Sequence, residues 1–328
     1  MASKATEYVV GVDLGGTKTL AAVVGPTGEV LCRVKTKTPV QDGPSGVLGA
    51  VATCVEDAIA KSKINRSLIG GVGIGVPGPL DPETGVVKVA PNLGWENIPA
   101  KTLLEKHLKL PVFAENDVNA GTVGEHRLGA GIGVKDLIGI FVGTGIGGGL
   151  IFGGRLYHGF GKVAGEIGHM IIQVNGPRCG CGNRGCFEAV ASRTAIVRDL
   201  TKAVDKGRKT MLTKMVEDKD LQKVGSSALA EAYKAGDKLT VKTLRKAMRY
   251  CGIAVASLLN LLNPEMVVLG GGVVEALGAE YINRVKKIAK KRTFEVTFKG
   301  VRIVQAQLGD DAVLLGAACL ARDRAAAQ

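Results

Sequence analysis

Four side chains with the chemistry of zinc ligands lie in the stretch 164–188, AGEIGHMIIQVNGPRCGCGNRGCFE. Three thiols and one imidazole make a complete tetrahedral ligand set for Zn²⁺, of the Cys₃His class found in closed structural sites. The glycines between the cysteines allow the tight turns that aim closely spaced sulfur atoms at one ion. The sequence therefore predicts a structural zinc ion bound by His169, Cys179, Cys181 and Cys186.

Two glutamates, Glu166 and Glu188, lie in the same stretch and have no place among the soft ligands of zinc. Their carboxylates are free to accept hydrogen bonds, and sugar hydroxyls are good donors. The simpler alternative is a zinc loop that only staples the local chain. A disulfide is a weaker interpretation, because Cys-x-Cys spacing gives poor bridging geometry and the other four cysteines are scattered along the chain.

A glycine-rich turn follows the first β-branched run, YVVGVDL, and contains Asp13, Gly15, Gly16, Thr17 and Lys18. Its exposed N–H groups, hydroxyl and ammonium can bind a polyphosphate, and the carboxylate can hold water on Mg²⁺. The spacing is not that of a P-loop, and a second strand follows where a P-loop has a helix. A plain hairpin turn remains the alternative for this segment.

Two further glycine-rich segments follow strands. Strand 137–143 leads into GTGIGGG and then into strand 149–153, which repeats the N-terminal pattern and suggests a duplicated core that binds one phosphate chain from both sides. Strand 266–269 leads into a glycine triplet, which either lets a flat ring lie against backbone or only permits a close helix–sheet contact. The residues concerned are Gly143, Thr144, Gly145 and Gly147, and then Gly270, Gly271 and Gly272.

An acid suited to proton transfer follows strand 111–115, in the segment ENDVNA that opens a helix. Ligands of open α/β sheets bind at the carboxyl ends of strands, so an acid here can accept a proton from a substrate hydroxyl. The alternative is that Asn116 or Asp117 only caps the helix. Two loops, PGPLDPETG with Gly78 and APNLGW with Asn92, are predicted to be rigid, and Asn92 is either a ligand contact or a turn residue.

The chain length of 328 residues fits two domains or one large α/β unit. Seven cysteines without framework spacing, no signal peptide and no long apolar run predict a cytoplasmic protein without membrane association. The net charge of +13 suggests nucleic-acid binding. However, no aromatic residues interleave the basic segment KKIAKKR, as stacking with single-stranded bases would require. A small polyanionic substrate accounts for the charge better, and no nucleic-acid partner is expected.

Taken together, these motifs resemble those of the sugar kinases of the ROK family (repressors, open reading frames, kinases), most closely the bacterial glucokinases. The resemblance runs from Gly11 to about residue 321. DLGGTK and GTGIGGG match the two phosphate motifs, ENDVNA the catalytic-base motif and EIGH the sugar motif. CGCGNRGCFE matches the zinc motif, and the glycine triplet matches the adenosine motif.

The resemblance implies an α/β fold, the duplicated ribonuclease H-like (actin-like ATPase) fold with two domains and an intervening cleft. The small domain would comprise residues 1–117 together with a C-terminal helix, 312–328, and the large domain residues 118–311. It also implies transfer of the γ-phosphoryl group of ATP to the 6-hydroxyl of glucose, as in glycolysis. Mg²⁺ would accompany ATP, Zn²⁺ would be structural, and the chain would form a homodimer or homotetramer.

The residue roles carried over from the family are specific. Asp117 would be the general base. The first two glycine turns with Asp13, and the triplet, would bind ATP. Sugar hydroxyls would contact Gly78, Asn92, Asn116, Asp117, Glu166, His169 and Glu188. His169 would bind zinc with one ring nitrogen and face the sugar with the other.

Three alternatives to a glucokinase remain. A ROK kinase for another hexose (N-acetylglucosamine, N-acetylmannosamine, mannose or fructose) would use the same motifs. A ROK repressor would carry a winged helix-turn-helix ahead of the first strand, for which no room is expected because that strand begins near Tyr8. A sugar-binding protein with an inactive kinase fold is disfavoured by the intact Asp117 and both phosphate turns.

Overall fold

The computed structural model describes residues 8–326, which divide into two compact units. Unit 1 comprises the described residues up to Gly133, Gly149–Gly165, and those from Asp310 onward. Unit 2 comprises Val134–Gly148 and Glu166–Gly309. The domain boundaries inferred from the family resemblance stay a prediction.

Thirteen strands and eleven α-helices make up the described chain, with short 3₁₀ turns between some of them. The strands are β1 Tyr8–Leu14, β2 Lys18–Val24, β3 Val30–Lys37, β4 Ile69–Val76, β5 Leu80–Asp81, β6 Val86–Ala90, β7 Trp95–Pro99, β8 Val112–Asn116, β9 Leu137–Val142, β10 Ile146–Phe152, β11 Arg155–Leu156, β12 Met266–Gly270 and β13 Arg302–Gln305. The helices are α1 Gly43–Ser62, α2 Ala100–Leu108, α3 Asp117–Leu128, α4 Phe187–Ala191, α5 Arg193–Asp205, α6 Ser226–Lys234, α7 Lys238–Leu262, α8 Gly272–Leu277, α9 Ala279–Lys290, α10 Glu295–Phe298 and α11 Ala312–Ala325.

The main sheet of unit 1 has the strand order β3-β2-β1-β4-β8. Strands β1, β4 and β8 are parallel, while β2 and β3 add an antiparallel hairpin at one edge. The runs of valine and isoleucine in β1 and β4 are almost wholly buried, as expected for parallel strands covered on both faces. The register places Asp13 opposite Gly75, and Gly75 opposite Glu115, so the acids of β1 and β8 flank one glycine of β4.

Helix α11 packs against this sheet and against α3 at unusually short range. A Cβ atom added at Gly73 would lie 1.9 Å from the carbonyl oxygen of Ala317, and one at Gly316 would lie 1.7 Å from that of Ala120. Similar clashes with α11 would follow at Gly11 and Gly124. Glycine is therefore required where the backbones of α11, β1, β4 and α3 approach one another.

A small antiparallel sheet, β5-β6-β7, occupies the region predicted to consist of two rigid loops. That prediction was wrong for PGPLDPETG and for the end of APNLGW, because both segments enter strands. Burial of Val87 and Ala90 in β6 and of Trp95, which is 2% exposed, gives these short strands an apolar side to pack. The 3₁₀ turn Pro91–Leu93 carries Asn92 between β6 and β7.

The second five-stranded sheet has the order β11-β10-β9-β12-β13. Strands β9, β12 and β13 are parallel, and β10 pairs with β11 in an antiparallel hairpin. This order repeats that of the first sheet position by position, so the predicted duplication is present in the topology. Strand β10 begins at Ile146, three residues before the predicted strand, and Gly147 therefore lies in a strand and not in the turn.

Helix α7 is the longest element of unit 2 and begins at an N-cap aspartate, Asp237, whose carboxylate accepts a hydrogen bond from the N–H of Thr240. Helix α9 packs along it. Val285 and Ala289 of α9 are fully buried. Among residues 8–326, none of the helices has both the length and the hydrophobicity that crossing a lipid bilayer requires.

Candidate active site

The junction of β8 and α3 fixes the side chain of Asp117. Asn116 is the N-cap of α3, because its Oδ1 accepts hydrogen bonds from the N–H groups of Val118 and Asn119. Asp117 is the first helical residue, and its Oδ1 accepts from Asn116 Nδ2 and from the Val118 N–H, both at 2.9 Å. Within the described residues its Oδ2 accepts no hydrogen bond. Asn116 therefore caps helix α3 and orients the carboxylate of Asp117, while Oδ2 of Asp117 is available to a ligand.

Glu115 lies in β8, two residues before the start of α3, and is only 3% exposed. Its Oε1 accepts hydrogen bonds from the N–H of Asn116 and from Asn119 Nδ2. Its Oε2 lies 2.7 Å from Nε2 of His158, which comes from the segment after β11. The carboxylate thus joins three parts of unit 1 at the turn that carries Asp117.

Two carboxyl groups at the ends of β1 and β8, those of Asp13 and Asp117, have raised pKa values. Partial burial raises the pKa of Asp117 from 3.8 to about 6, opposed by the hydrogen bond from Val118 and reinforced by the charge of Asp13. Burial likewise raises the pKa of Asp13 to about 6, although the ammonium of Lys18 opposes the shift. A carboxylate with a pKa near 6 is a better proton acceptor than an exposed one and is still ionised at neutral pH.

The first glycine turn (residues 13–18) is closed by a hydrogen bond from the Gly15 N–H to the Lys18 carbonyl, and Thr38 braces it. The Thr38 hydroxyl donates to the Gly15 carbonyl at 2.8 Å, and its N–H donates to the carbonyl of Thr17. These bonds leave the side chains of Thr17 and Lys18 exposed. The Lys18 ammonium lies 3.6 Å from the carboxylate of Asp310, a weak pair because both groups are well exposed.

Two predicted sugar-contact residues of unit 1 lie beside these elements. The carbonyl oxygen of Gly78 accepts a hydrogen bond from Asn116 Nδ2 at 3.2 Å. Gly78 has φ +90°, and a Cβ there would lie 2.1 Å from the Val89 carbonyl oxygen, so only glycine fits. The backbone of Asn92 approaches Gly16, whose added Cβ would lie 3.1 Å from the Asn92 carbonyl oxygen. The structure thus brings Gly78 to the capped turn and Asn92 to the first glycine turn.

The segment 188–194 contacts the second glycine turn (residues 143–145) and Ile146, the first residue of β10. The Ile146 N–H donates to Oε2 of Glu188 at 2.9 Å. The backbone N–H of Arg193 donates to the Gly143 carbonyl, and its guanidinium donates to the hydroxyl of Thr144 at 2.7 Å. The turn is thus fixed by the start of two helices, α4 and α5.

The Cys₃His cluster (His169, Cys179, Cys181 and Cys186) fits a zinc ion. Its four ligand atoms all lie within 4.8 Å of one another. Cys179 Sγ is 3.8 Å from His169 Nδ1, and the sulfur atoms of Cys181 and Cys186 are 3.7 Å apart. A tetrahedron with Zn–S bonds of about 2.3 Å has edges of about 3.5–3.8 Å. The spacing excludes a disulfide here and matches the predicted metal site.

Glu166 and Glu188 lie on two sides of this cluster. Nε2 of His169 is 3.8 Å from Glu166 Oε2, while its Nδ1 faces the thiols. Glu188 Oε1 is 3.9 Å from Cys179 Sγ. Its other oxygen is bound to Ile146, so Glu188 has one carboxylate oxygen committed to the second glycine turn.

The glycine triplet is explained in part by packing within unit 2. A Cβ at Gly271, which has φ +86°, would lie 2.7 Å from the backbone nitrogen and oxygen of Val142. One at Gly270 would lie 2.8 Å from the ring of Phe141. The close contact considered from sequence is therefore present, and an adenosine contact by these glycines stays a prediction.

Sequence reasoning missed four residues that brace the site: Thr38, Glu115, His158 and Arg193. Three of them act on segments far away in the chain, as in the pair His158 and Glu115, which are 43 positions apart. Neither their types nor their spacing distinguishes them from surface residues. Only Glu115 could have been recognised from the sequence, because it lies in a buried strand, where an acid needs a hydrogen-bond partner.

Comparisons with known proteins agree on one family. Residues 9–324 match the sequence profile described as the ROK family. The glucokinase of Halalkalibacterium halodurans is 34% identical over 321 residues, covering 97% of this chain and 96% of that protein. The xylose repressor of Caldicellulosiruptor bescii is 31% identical over 313 residues, which span 95% of this chain and 77% of the repressor.

A solved structure gives the same result at the level of the fold. The crystal structure of a ROK family glucokinase from Streptomyces griseus, in complex with glucose and AMPPNP, superposes with a TM-score of 0.84. It is 34% identical in sequence, with 96% of this chain and 99% of that chain covered. The duplicated α/β fold predicted from sequence is confirmed by this likeness together with the repeated strand order.

Proposed function

The chain belongs to the ROK family and is a hexose kinase, and from that premise we propose that it uses ATP to phosphorylate the 6-hydroxyl of glucose. The substrate named for the Streptomyces griseus relative, glucose, supports this choice of hexose. The observation that carries the chemistry is Asp117, with one oxygen held by two hydrogen bonds and the other available, and with its pKa raised to about 6.

Asp117 acts as the general base in this proposal. Its free carboxylate oxygen takes the proton of the 6-hydroxyl while the oxygen of that hydroxyl forms a bond to the γ-phosphorus of ATP. The bond from the γ-phosphorus to the β–γ bridging oxygen breaks, and ADP leaves with the electron pair. Asn116 and Glu115 keep the carboxylate in place throughout. General bases contribute about 10²–10⁴ in rate, and the remaining acceleration comes from positioning and charge neutralisation.

The two glycine turns bind phosphate oxygens in this proposal. Thr38 and Arg193 hold their respective turns in shape, so the N–H groups and the side chains of Thr17, Lys18 and Thr144 do not need to reorganise when the nucleotide binds. Mg²⁺ bound with ATP supplies further positive charge to the β- and γ-phosphates. Asp13, at the end of β1, is the carboxylate proposed to hold water on that ion.

Three side chains of unit 2, Glu166, His169 and Glu188, are proposed to accept or donate hydrogen bonds to sugar hydroxyls. A carboxylate can accept from two hydroxyls, and a wrong epimer leaves it with an unpaired partner, which costs binding. The Cys₃His cluster would hold Zn²⁺ as a structural ion, which fixes the tautomer and orientation of His169. Thus the metal supplies order and takes no part in phosphoryl transfer.

The decisive experiment measures ADP release with Mg·ATP across a panel of hexoses, with polyphosphate as an alternative donor. Glucose should turn over well ahead of mannose, fructose, N-acetylglucosamine and N-acetylmannosamine. Preference for an N-acetyl sugar would replace the substrate and leave the kinase assignment intact. No turnover of any sugar by zinc-containing protein would contradict the proposal and favour a sugar-binding or repressor-like role.

A further inference from the structure

A row of four cations runs along one face of helix α7. Lys238, Lys242, Arg245 and Arg249 follow one another at spacings of four, three and four residues. Residues three and four apart on a helix are neighbours, so these side chains form a single stripe. The stripe runs over eleven residue-to-residue steps, from Lys238 to Arg249, and is therefore about 16 Å long at 1.5 Å per residue.

A second row of cations lies opposite, on the C-terminal half of α9 and the turn after it. Arg284, Lys287, Lys291 and Arg292, together with Arg245 and Arg249 of the first row, surround a hollow of about 380 Å³ with Ile288 in its wall. We name this hollow the basic groove. Its volume lies within the range of about 300–1,000 Å³ that is usual for small-ligand pockets. On the other side of Arg245, the row of α7 continues beside a second hollow of about 570 Å³.

The charge of the basic groove is almost uncompensated within residues 8–326. Arg245 has one polar neighbour, the hydroxyl of Tyr233 at 3.5 Å, which itself donates to Glu280. The other five cations of the groove form no ion pair with a described residue. By contrast, Lys246, which follows Arg245 in α7, forms an ion pair with Asp199 at 2.9 Å.

Arg284 provides a second, independent observation. Its Nε is buried and has no hydrogen-bond partner among the described residues. A buried donor without a partner is destabilising, and more so when it is charged. Like charges three or four residues apart on a helix add a smaller penalty. The chain thus maintains an unfavourable concentration of positive charge at one place, which a bound anion would relieve.

We propose that the basic groove binds a small anion that carries two or more phosphate groups, at a site separate from the glycine turns. Six cations exceed what one carboxylate or one phosphate can neutralise, and the four arginines offer planar forks that match phosphate oxygens in pairs. A nucleic acid is the less suitable ligand, because no aromatic side chain lines the groove for stacking with bases. This inference goes beyond the proposed kinase activity and does not depend on it.

Inorganic tripolyphosphate is a suitable probe, and calorimetric titration is a suitable measurement. The full chain is titrated in the presence of Mg²⁺, glucose and one equivalent of a nonhydrolysable ATP analogue, which occupies the kinase site and leaves little free analogue to fill the groove. The test variant is K287Q/K291Q, which removes two groove cations. The matched control is K286Q/K290Q, which removes the same charge from the same helix at exposed positions that do not line the groove.

The test variant should bind tripolyphosphate at least about tenfold more weakly than wild type, since each lost contact is a charge-assisted hydrogen bond. The control should keep wild-type affinity, and circular dichroism with hexose kinase turnover verifies that both variants are folded. Equal affinity in the two variants would overturn the proposal. So would binding of random duplex DNA in preference to tripolyphosphate, when that binding is lost in K287Q/K291Q.

Discussion

The carboxylate of Glu188 accepts a hydrogen bond from the backbone N–H of Ile146, with 2.9 Å between Oε2 and the nitrogen. Glu188 lies two residues after the last thiol of the Cys₃His cluster, and Ile146 is the first residue of β10, directly after the second glycine turn. An added Cβ at Gly145 would lie only 2.3 Å from the same oxygen, so the two segments are in close contact. The segment that follows the Cys₃His cluster and the second glycine turn are therefore in direct contact within unit 2.

This contact predicts that C181A loses zinc and sugar affinity together. Without one thiolate the cluster no longer holds the metal, and His169 and Glu188 lose their fixed positions. Because Glu188 also holds Ile146, the KM for ATP should rise as well. Metal analysis beside a glucose titration checks this, with C32A as the control because Cys32 lies in β3 far along the chain. Unchanged sugar binding in zinc-free C181A would contradict the prediction.

Replacing the proposed base should separate binding from turnover. We expect D117N to bind glucose and ATP but to lose at least about 100-fold in kcat, the usual cost of a missing general base. The exposed D57N on α1 is the matched control. In the wild type, kcat/KM should fall about tenfold per pH unit below about pH 6, where Asp117 becomes protonated. A D117N variant within threefold of wild type would remove Asp117 from this role.

Ionisation of Asp117, which the proposed reaction requires, should lower the free energy of unfolding. Its folded pKa of about 6 exceeds the usual 3.8, so between these pH values the folded protein binds more protons than the unfolded chain. Stability contributed by this group is therefore lost as the pH rises through that window. D117N should be more stable than wild type at pH 8 by about 1–2 kcal/mol, allowing for partial exposure, and no more stable near pH 4. Urea denaturation at both pH values measures the difference.

His158 is expected to position Asp117 through Glu115. H158A leaves the buried Glu115 carboxylate without its 2.7 Å partner and loosens the turn that carries the base. Turnover should fall about 10- to 100-fold, as for a small displacement of a catalytic group. The KM for ATP should not change, and H158Q should restore part of the loss by supplying a donor. The exposed H107A on α2 is the control, and equal kinetics in H158A and H107A would show that the contact has no positioning role.

Glycines beneath α11 should be intolerant of even one methyl group. G316A places a Cβ against the Ala120 carbonyl, and G73A places one against that of Ala317. Each should lower the free energy of unfolding by about 1–3 kcal/mol, the range for overpacked cores. G49A is the matched control, because a Cβ there meets nothing within 4 Å. It should stabilise α1 by up to about 1 kcal/mol, since alanine is a better helix former.

The sequence allowed prediction of those parts of the site in which neighbouring residues carry the chemistry. The Cys₃His cluster and the capped turn at Asn116 and Asp117 are local, so residue type and spacing were sufficient to predict that their side chains lie together. The predicted start of the strand at residue 149 was wrong, because a β-hairpin turn of a few residues can end anywhere in a run of glycines. The strand begins at Ile146, and the ATP contact of Gly147 stays a prediction.

Contacts between distant segments were beyond prediction for a physical reason. His158 reaches Glu115, and Thr38 reaches Gly15, only after the sheet has set the register of its strands. Nothing in the local composition encodes that register. The basic groove is a similar case, because the cations of α7 and α9 form one surface only when the two helices pack.

The requirement for glycine beneath α11 also bears on how the protein is made. Residues 312–325 complete the core of unit 1, whose first strands leave the ribosome before any residue of unit 2. Strands β1 and β4 must therefore wait, with their glycine-lined surface facing solvent, until almost the whole chain has been synthesised. Contacts of such long sequence separation slow folding. Unit 2 contains no residue of α11 and is thus the part able to complete its core before this helix has been made, whereas the core of unit 1 is completed only afterwards.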